Sequence, residues 1–376
     1  MISLRTIDLF KRSLFFTGFC ASLLVAAASS GQLRAASAST FTVGADNPAI
    51  RYSGRSEGAG TTKVTFGWSG ARMRLRFEGS ASVGVRLDDD SGGNYAMAWI
   101  DGKPAKKFRL DAKDGFYPLA EGLDLGAHTI EVVRVTECAV GLMHFRGFVL
   151  ERGAKPLAWR DAHDRKIEFI GDSITCGYGV EVNDAKIHFT PATENFCLGY
   201  SGVTARRLDA DYLVVARSGI GMVRNYDGPR DGSKDSMPPV YPHTFYLRPG
   251  SDWDYHHFIP DVVCLNLGTN DFSTTGVNVD KFVATYADFL KMLLAHYPDA
   301  RIVVLQGPMN NSPELKTALH DAIGKLGGPA SRRVRYFELS AQGAHGYGAD
   351  YHPNEVQSGL SADELTAYLA DLMHWR

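Results

Sequence analysis

Cysteine is scarce in this chain: five in 376 residues, none of them in a C-x-x-C pair. A disulfide scaffold, a zinc ribbon and a thioredoxin-like site are thereby excluded. Neither sign of charge is in excess. The formal net charge is −2, and residues 1–38 hold four basic residues (Arg5, Lys11, Arg12, Arg34) against Asp8, which leaves −5 for the remainder. Such a balance gives no broad footprint for nucleic acid or anionic lipid. Apolar runs are short as well. The longest, Ser13 to Ala28, falls below the ~20 residues that a membrane-spanning helix needs. Internal repeats and low-complexity tracts are missing. What remains is a globular composition, 44% hydrophobic and 22% charged, in a chain long enough for two domains with separate cores.

The N-terminus carries the first positive signal. Arg5, Lys11 and Arg12 precede the apolar run, and small residues including Ala36-Ser37-Ala38 follow it. A basic start, a short apolar stretch and an A-x-A site read as a signal peptide over residues 1–38, hence a secreted or periplasmic protein with no membrane attachment after cleavage. Phe19 before Cys20 is too large for a lipoprotein signal. Four cysteines then remain. Cys264 lies in an apolar run and reads as a buried thiol. Cys176 and Cys197 flank one loop, where a disulfide and two free thiols are both open.

Residues 39–151 alternate apolar and polar side chains. The segments Lys63–Trp68, Ala71–Phe77, Ser82–Leu87, Tyr95–Ile100, His128–Val135 and Gly141–Leu150 have period two, with Asp88-Asp89-Asp90-Ser91-Gly92-Gly93 and Asp101-Gly102 as turns. An antiparallel β-sandwich of the jelly-roll kind is expected. Residues 152–164, polar and holding Pro156, read as a linker. From residue 165 to 376 the period changes. Short runs rich in Val, Ile and Leu (Lys166–Ile170, Tyr212–Ala216, Asp261–Leu267, Arg301–Gln306, Arg333–Leu339) alternate with helical segments at Cys197–Leu208, Val279–His296, Ser312–Leu326 and Ser361–His374. The last is expected to open with the capping box Ser361-Ala362-Asp363-Glu364. This pattern predicts a three-layer α/β/α domain around a flavodoxin-like parallel sheet. Sites in such sheets form at the carboxyl ends of strands.

Four short blocks sit at those ends. Gly171-Asp172-Ser173-Ile174 offers an exposed hydroxyl in a strand-to-helix turn, although an ordinary N-cap serine looks the same. Ser218-Gly219-Ile220-Gly221 admits close backbone approach, or is simply a tight turn. Gly268-Thr269-Asn270-Asp271 holds an amide that can donate to an anion, or an Asx turn. Asp350-Tyr351-His352-Pro353 places a carboxylate and an imidazole on one face if the backbone is extended, which Pro353 favours. The pair His256-His257 and the run Asp88-Asp89-Asp90 lack the spacing of a metal-ligand set.

The order Ser, Gly, Asn, His after successive strands resembles the SGNH or GDSL-type hydrolase superfamily over residues 165–376. The wording GDSITCGYG, the D-x-H-P ending and the preceding sandwich resemble carbohydrate esterase family 2, secreted deacetylases with an N-terminal jelly roll. The resemblance implies a carboxylic ester hydrolase with Ser173 as nucleophile and His352 as base. It assigns the oxyanion hole to Ser173, Gly221 and Asn270, and requires no metal or cofactor. In the wider superfamily an Asp stands three residues before the catalytic His. Here that position is Ala349, and Asp350 lies two before, so the third triad member is either the Asp350 carboxylate or a backbone carbonyl. Tyr178, Phe272, Trp253 and Tyr351 are expected to line the substrate cleft. The substrate implied is an acetylated polysaccharide or oligosaccharide of the xylan or glucomannan type, with acetyl groups on primary 6-hydroxyls suggested by the same resemblance. A GDSL-type lipase or lysophospholipase, and an inactive carbohydrate-binding protein, are the rival expectations.

Overall fold

The computed structural model describes residues 39–113, 115–159, 165–248 and 250–375. The expected signal peptide lies outside the described residues. The first half contains β1 (Thr40–Gly44), β2 (Arg51–Ser53), β3 (Ser56–Glu57), β4 (Val64–Phe66), β5 (Arg72–Glu78) and β6 (Ser82–Asp89). It continues with β7 (Tyr95–Ile100), β8 (Lys103–Arg109), β9 (Gly115–Glu121), β10 (Ala127–Arg134), β11 (Met143–Glu151) and β12 (Lys155–Leu157). One antiparallel sheet runs β3-β4-β11-β6-β9 with β1 on β11, and the other β12-β5-β10-β7-β8 with β2 on β5. Their inward residues, among them Phe66, Leu75, Phe77, Val85, Val132 and Phe145, interdigitate in one dry core. Burial of that apolar area drives the sheets together. The expected linker contributes β12, which pairs with β5, so the sandwich reaches past residue 151.

The second half holds β13 (Lys166–Gly171), α1 (Ser173–Cys176), α2 (Tyr200–Arg207), β14 (Asp211–Ala216), α3 (Met237–Val240) and β15 (Val262–Asn266). It ends with α4 (Val279–His296), β16 (Arg301–Gln306), α5 (Pro313–Gly324), α6 (Gly328–Ser331), β17 (Val334–Glu338) and α7 (Glu355–Met373). The sheet is parallel in the order β14-β13-β15-β16-β17. Strands β13, β15 and β16 are nearly all buried, as two covered faces require. Helices α4 and α5 pack on one face and α2 and α7 on the other. Chain order 2-1-3-4-5 puts the topological switch beside β13, so the carboxyl ends of β13 and β15 flank the crevice where such sheets bind ligands.

One expectation fails in this half, and one alternative left open is settled. Helix α7 starts six residues before Ser361, with the Asn354 side chain accepting from the Gln357 N–H as its cap. Ser361 is buried inside the helix and Glu364 instead accepts from the Ser340 N–H. Cys176 and Cys197 are free buried thiols. The Cys176 sulfur faces the carboxylates of Glu137 and Glu194, while Cys197 sits beside Arg206 and Trp99, so the two point into different surroundings. Burial pushes the Cys197 thiol up to about 11 and raises that of Cys176 as well.

The halves share a polar seam. Arg55 of the sandwich, fully buried, donates to the carbonyls of Tyr241 and His243, lies 3.6 Å from Glu168 of β13, and covers the ring of Tyr241. Arg72 bonds Asp211 and stacks 4.1 Å over Tyr212.

Candidate active site

Ser173 is the first residue of α1, directly after β13. Asp172 caps this short helix, its carboxylate accepting the Ile174 N–H at 3.0 Å. Gly177 closes it in the left-handed conformation, where a Cβ would lie 2.4 Å from the Asn195 carbonyl. At Gly179 the chain comes against the segment before His352. The Ala349 N–H bonds the Gly179 carbonyl at 3.1 Å, and a Cβ on Gly179 would meet the Ala349 Cβ at 2.4 Å. The glycines of Cys176-Gly177-Tyr178-Gly179 thus let the histidine loop close over the serine.

The result is a hydrogen-bonded pair, with His352 Nε2 2.8 Å from Ser173 Oγ. The other ring nitrogen settles the tautomer. Nδ1 lies 3.2 Å from the Ala349 carbonyl and 3.1 Å from the Asp350 carbonyl. Carbonyls only accept, so Nδ1 carries the proton and Nε2 presents its lone pair to the serine hydroxyl. Tyr178 covers the imidazole with ring centroids 4.1 Å apart, and Phe189 stacks on Tyr178 at 4.1 Å. Desolvation there pulls the His352 pKa down to about 4, against the two carbonyls that favour the charged form.

The carboxylate of Asp350 turns elsewhere. It accepts from the Tyr178 hydroxyl at 2.8 Å and the Phe189 N–H at 2.9 Å, and lies 2.7 Å from His188 Nδ1. The expectation of a carboxylate on the imidazole is therefore corrected: Asp350 meets the ring through its main-chain oxygen. Asp350 and Tyr351 both have positive φ (48° and 63°), which breaks the extended backbone on which a shared face depended.

The remaining donors converge on the same crevice. The Asn270 amide donates to the Ile220 carbonyl at 2.9 Å and to Asp172 at 3.3 Å. The Gly221 N–H donates to Asn225 Oδ1 at 3.1 Å, a partner with no signal of its own in the sequence. Asp271, fully buried, accepts from the N–H groups of Met222, Val223 and Arg224. A Cβ on Gly221 would stand 2.0 Å from the Arg224 carbonyl and 2.7 Å from Asp271 Oδ2, so this turn requires glycine for packing alone. The buried Arg224 guanidinium returns the contact, donating to the carbonyls of Asn270, Asp271 and Ser273. Burial lifts the Asp172 carboxyl to about 7 and Asp271 to about 6.

The aromatic expectations divide. Tyr178, in the turn after Ser173, covers the His352 ring, and Tyr351 of the histidine loop is 60% exposed beside Tyr347. Phe272 leans edge-on against Phe282 and is partly buried in the core. Trp253 does not join the site. It precedes β15, at the amino edge of the sheet, and packs with His257 beneath Arg55. In the segment 222–250, Tyr241 and Phe245 are fully buried, while Tyr226 is 59% exposed.

Two known families match the chain: the carbohydrate esterase 2 N-terminal family over residues 52–159, and the GDSL-like lipase/acylhydrolase family over residues 169–372. A cellulase/esterase of Acetivibrio thermocellus is 36% identical over 336 residues, which is 88% of this chain; the chain spans 40% of that relative's length. An acetylxylan esterase/glucomannan deacetylase of Cellvibrio japonicus is 30% identical over 321 residues, covering 81% of this chain and 85% of that relative. The solved structure of a family two carbohydrate esterase from Clostridium thermocellum in complex with cellohexaose superposes with a TM-score of 0.81 at 34% identity, over 87% of this chain and 100% of the other. A sandwich joined to a GDSL-type hydrolase half, with a serine and a histidine meeting at the sheet's switch point, makes this chain a member of the family 2 carbohydrate esterases.

Proposed function

We propose that this chain is a secreted serine esterase that removes O-acetyl groups from polysaccharide, of the xylan or glucomannan type. The observation that carries the reading is the 2.8 Å contact between Ser173 Oγ and the unprotonated Nε2 of His352. Ser173 attacks the acetyl carbonyl while Nε2 takes its proton, and the sugar hydroxyl leaves with that proton. Water then attacks the acetyl-serine by the same base, releasing acetate. The imidazolium formed in each step is stabilised at Nδ1 by the dipoles of the Ala349 and Asp350 carbonyls.

The oxyanion is received by the Ser173 N–H and by the Asn270 amide, whose longer bond to Asp172 is the one exchanged. Gly221 joins when Asn225 releases its N–H. Tyr226 and Tyr351 offer exposed rings on which a sugar can stack. Export rests on the basic and apolar N-terminal segment; among the described residues no helix is long and apolar enough to cross a membrane. The names of the relatives support acetylated xylan and glucomannan as substrates. The test is acetate release from acetylated polysaccharide beside hydrolysis of p-nitrophenyl esters of rising chain length. Acetyl is expected to be preferred. Faster octanoyl cleavage with no acetate from polysaccharide would make the chain a lipase.

A further inference from the structure

The hydrolase half does not build its oxyanion turn alone. Residues 217–221 run from the end of β14 to the Asp271 carboxylate, and Ile220 within them carries the carbonyl that holds the Asn270 amide. The far end of the turn is fixed by the three amides bonded to Asp271. The near end is fixed from the sandwich. Just after β10 the chain enters the seam, where the Val135 carbonyl accepts the Phe196 N–H at 3.1 Å and the Cys138 thiol lies 3.7 Å from the Ala216 carbonyl. Between them Glu137 extends its carboxylate to the Ser218 N–H at 2.6 Å.

The Glu137 side of this contact is buried. Glu137 is 5% exposed, Glu194 and Cys176 are fully buried, and the ligand atoms of the three lie within 4.8 Å of one another. The Glu137 N–H bonds Glu194 Oε2 at 2.9 Å, and Arg134, also fully buried, donates to the Glu137 carbonyl at 2.7 Å. Two acids in one buried seam are costly, and burial raises the pKa of each. A main-chain amide left without an acceptor there would also be costly, and a carboxylate is the strongest acceptor available.

We propose that Glu137 is a positioning residue of the esterase, by which the β-sandwich holds the near end of the oxyanion turn. Asp271 and Glu137 clamp the turn at its two ends, and the Ile220 carbonyl and Gly221 N–H between them take their places from both. The proposal rests on the reading of Asn270 and Gly221 as oxyanion donors, and it gives the sandwich a part in the chemistry.

Two conservative variants separate reach from charge. Glu137→Gln keeps an oxygen at the position that faces Ser218, whereas Glu137→Asp keeps the charge and withdraws it by one methylene. With p-nitrophenyl acetate, and kcat expressed per folded protein from parallel thermal melts, Glu137→Gln is expected within about threefold of the parent. Glu137→Asp is expected to lose tenfold or more in kcat with KM within about twofold, the signature of an interaction that matters in the transition state. Parent-like kcat in Glu137→Asp would overturn the proposal. So would equal losses in both variants, or a loss carried by KM. A parent protein that cleaves no acetyl ester would instead sink the esterase reading itself.

Discussion

The main-chain oxygen of Asp350 faces His352 Nδ1 at 3.1 Å, while the Asp350 carboxylate points away to Tyr178 and His188. One residue therefore orients the imidazole through its backbone and the neighbouring loop through its side chain. Substituting the carboxylate leaves the carbonyl in place. Asn also tolerates the left-handed conformation that Asp350 adopts. Asp350→Asn is accordingly expected to lower kcat by about tenfold at most, read with p-nitrophenyl acetate. A loss of about 10⁴, the cost of the same change in a carboxylate-oriented triad, would contradict this geometry.

Burial without a carboxylate partner holds His352 neutral well below its ordinary range, with a pKa of about 4. The base works only when unprotonated, so lowering its pKa extends activity toward acid. The acid limb of kcat/KM, which reports the free enzyme, is expected below pH 6 and near 4 to 5. For folding the sign is the same. A base depressed from 6.5 stabilises the fold above its unfolded value, and that contribution is lost as pH falls through about 4. An acid limb at pH 6.5 or above would show that the ring is charged more readily than its surroundings allow.

Asn270→Ala removes one amide donor from the crevice and a bond to the Ile220 carbonyl. A fall of about 10²–10³ in kcat with little change in KM is expected, the usual effect of deleting one oxyanion donor. Unaltered kcat would assign Asn270 to turn structure only.

Gly179→Ala tests the approach of the histidine loop. The added Cβ would sit 2.4 Å from Ala349 Cβ and 2.9 Å from its nitrogen, on a backbone with φ of 59°. The loop must retreat, taking Nε2 from Ser173. Both kcat and the melting temperature are expected to drop; a variant that keeps both would mean that the 177–179 turn and the loop are not in contact.

Much of this was legible in the sequence, for physical reasons. Parallel strands covered on both faces read as unbroken Val/Ile/Leu runs, and helix α4 shows its bounds because Asn278 caps it just before a long apolar periodicity. Ser173, Asn270 and His352 follow strands, where the fold collects chemistry. Strands β8 and β9 were not legible, since their outward Lys and Glu residues mask the alternation. Nor was the turn at Asp350 and Tyr351, where two positive φ values replaced the extended backbone that Pro353 favoured. Trp253 reads as a cleft residue but packs beneath Arg55, and its neighbours Tyr241 and Phe245 are spent on the core and seam. Glu137, Asn225 and Arg224 left no local signal, because their partners are fixed by the fold.

The most direct measurement compares the parent protein with Ser173→Ala for acetate released from acetylated xylan and glucomannan, alongside thermal melting of both. Ser173 is 5% exposed and its hydroxyl bonds His352, so alanine removes one small group and opens almost no core volume. The account predicts unchanged melting within a few degrees and a loss of at least about 10³-fold in acetate release. Acetate released by the alanine variant at the parent rate would contradict it.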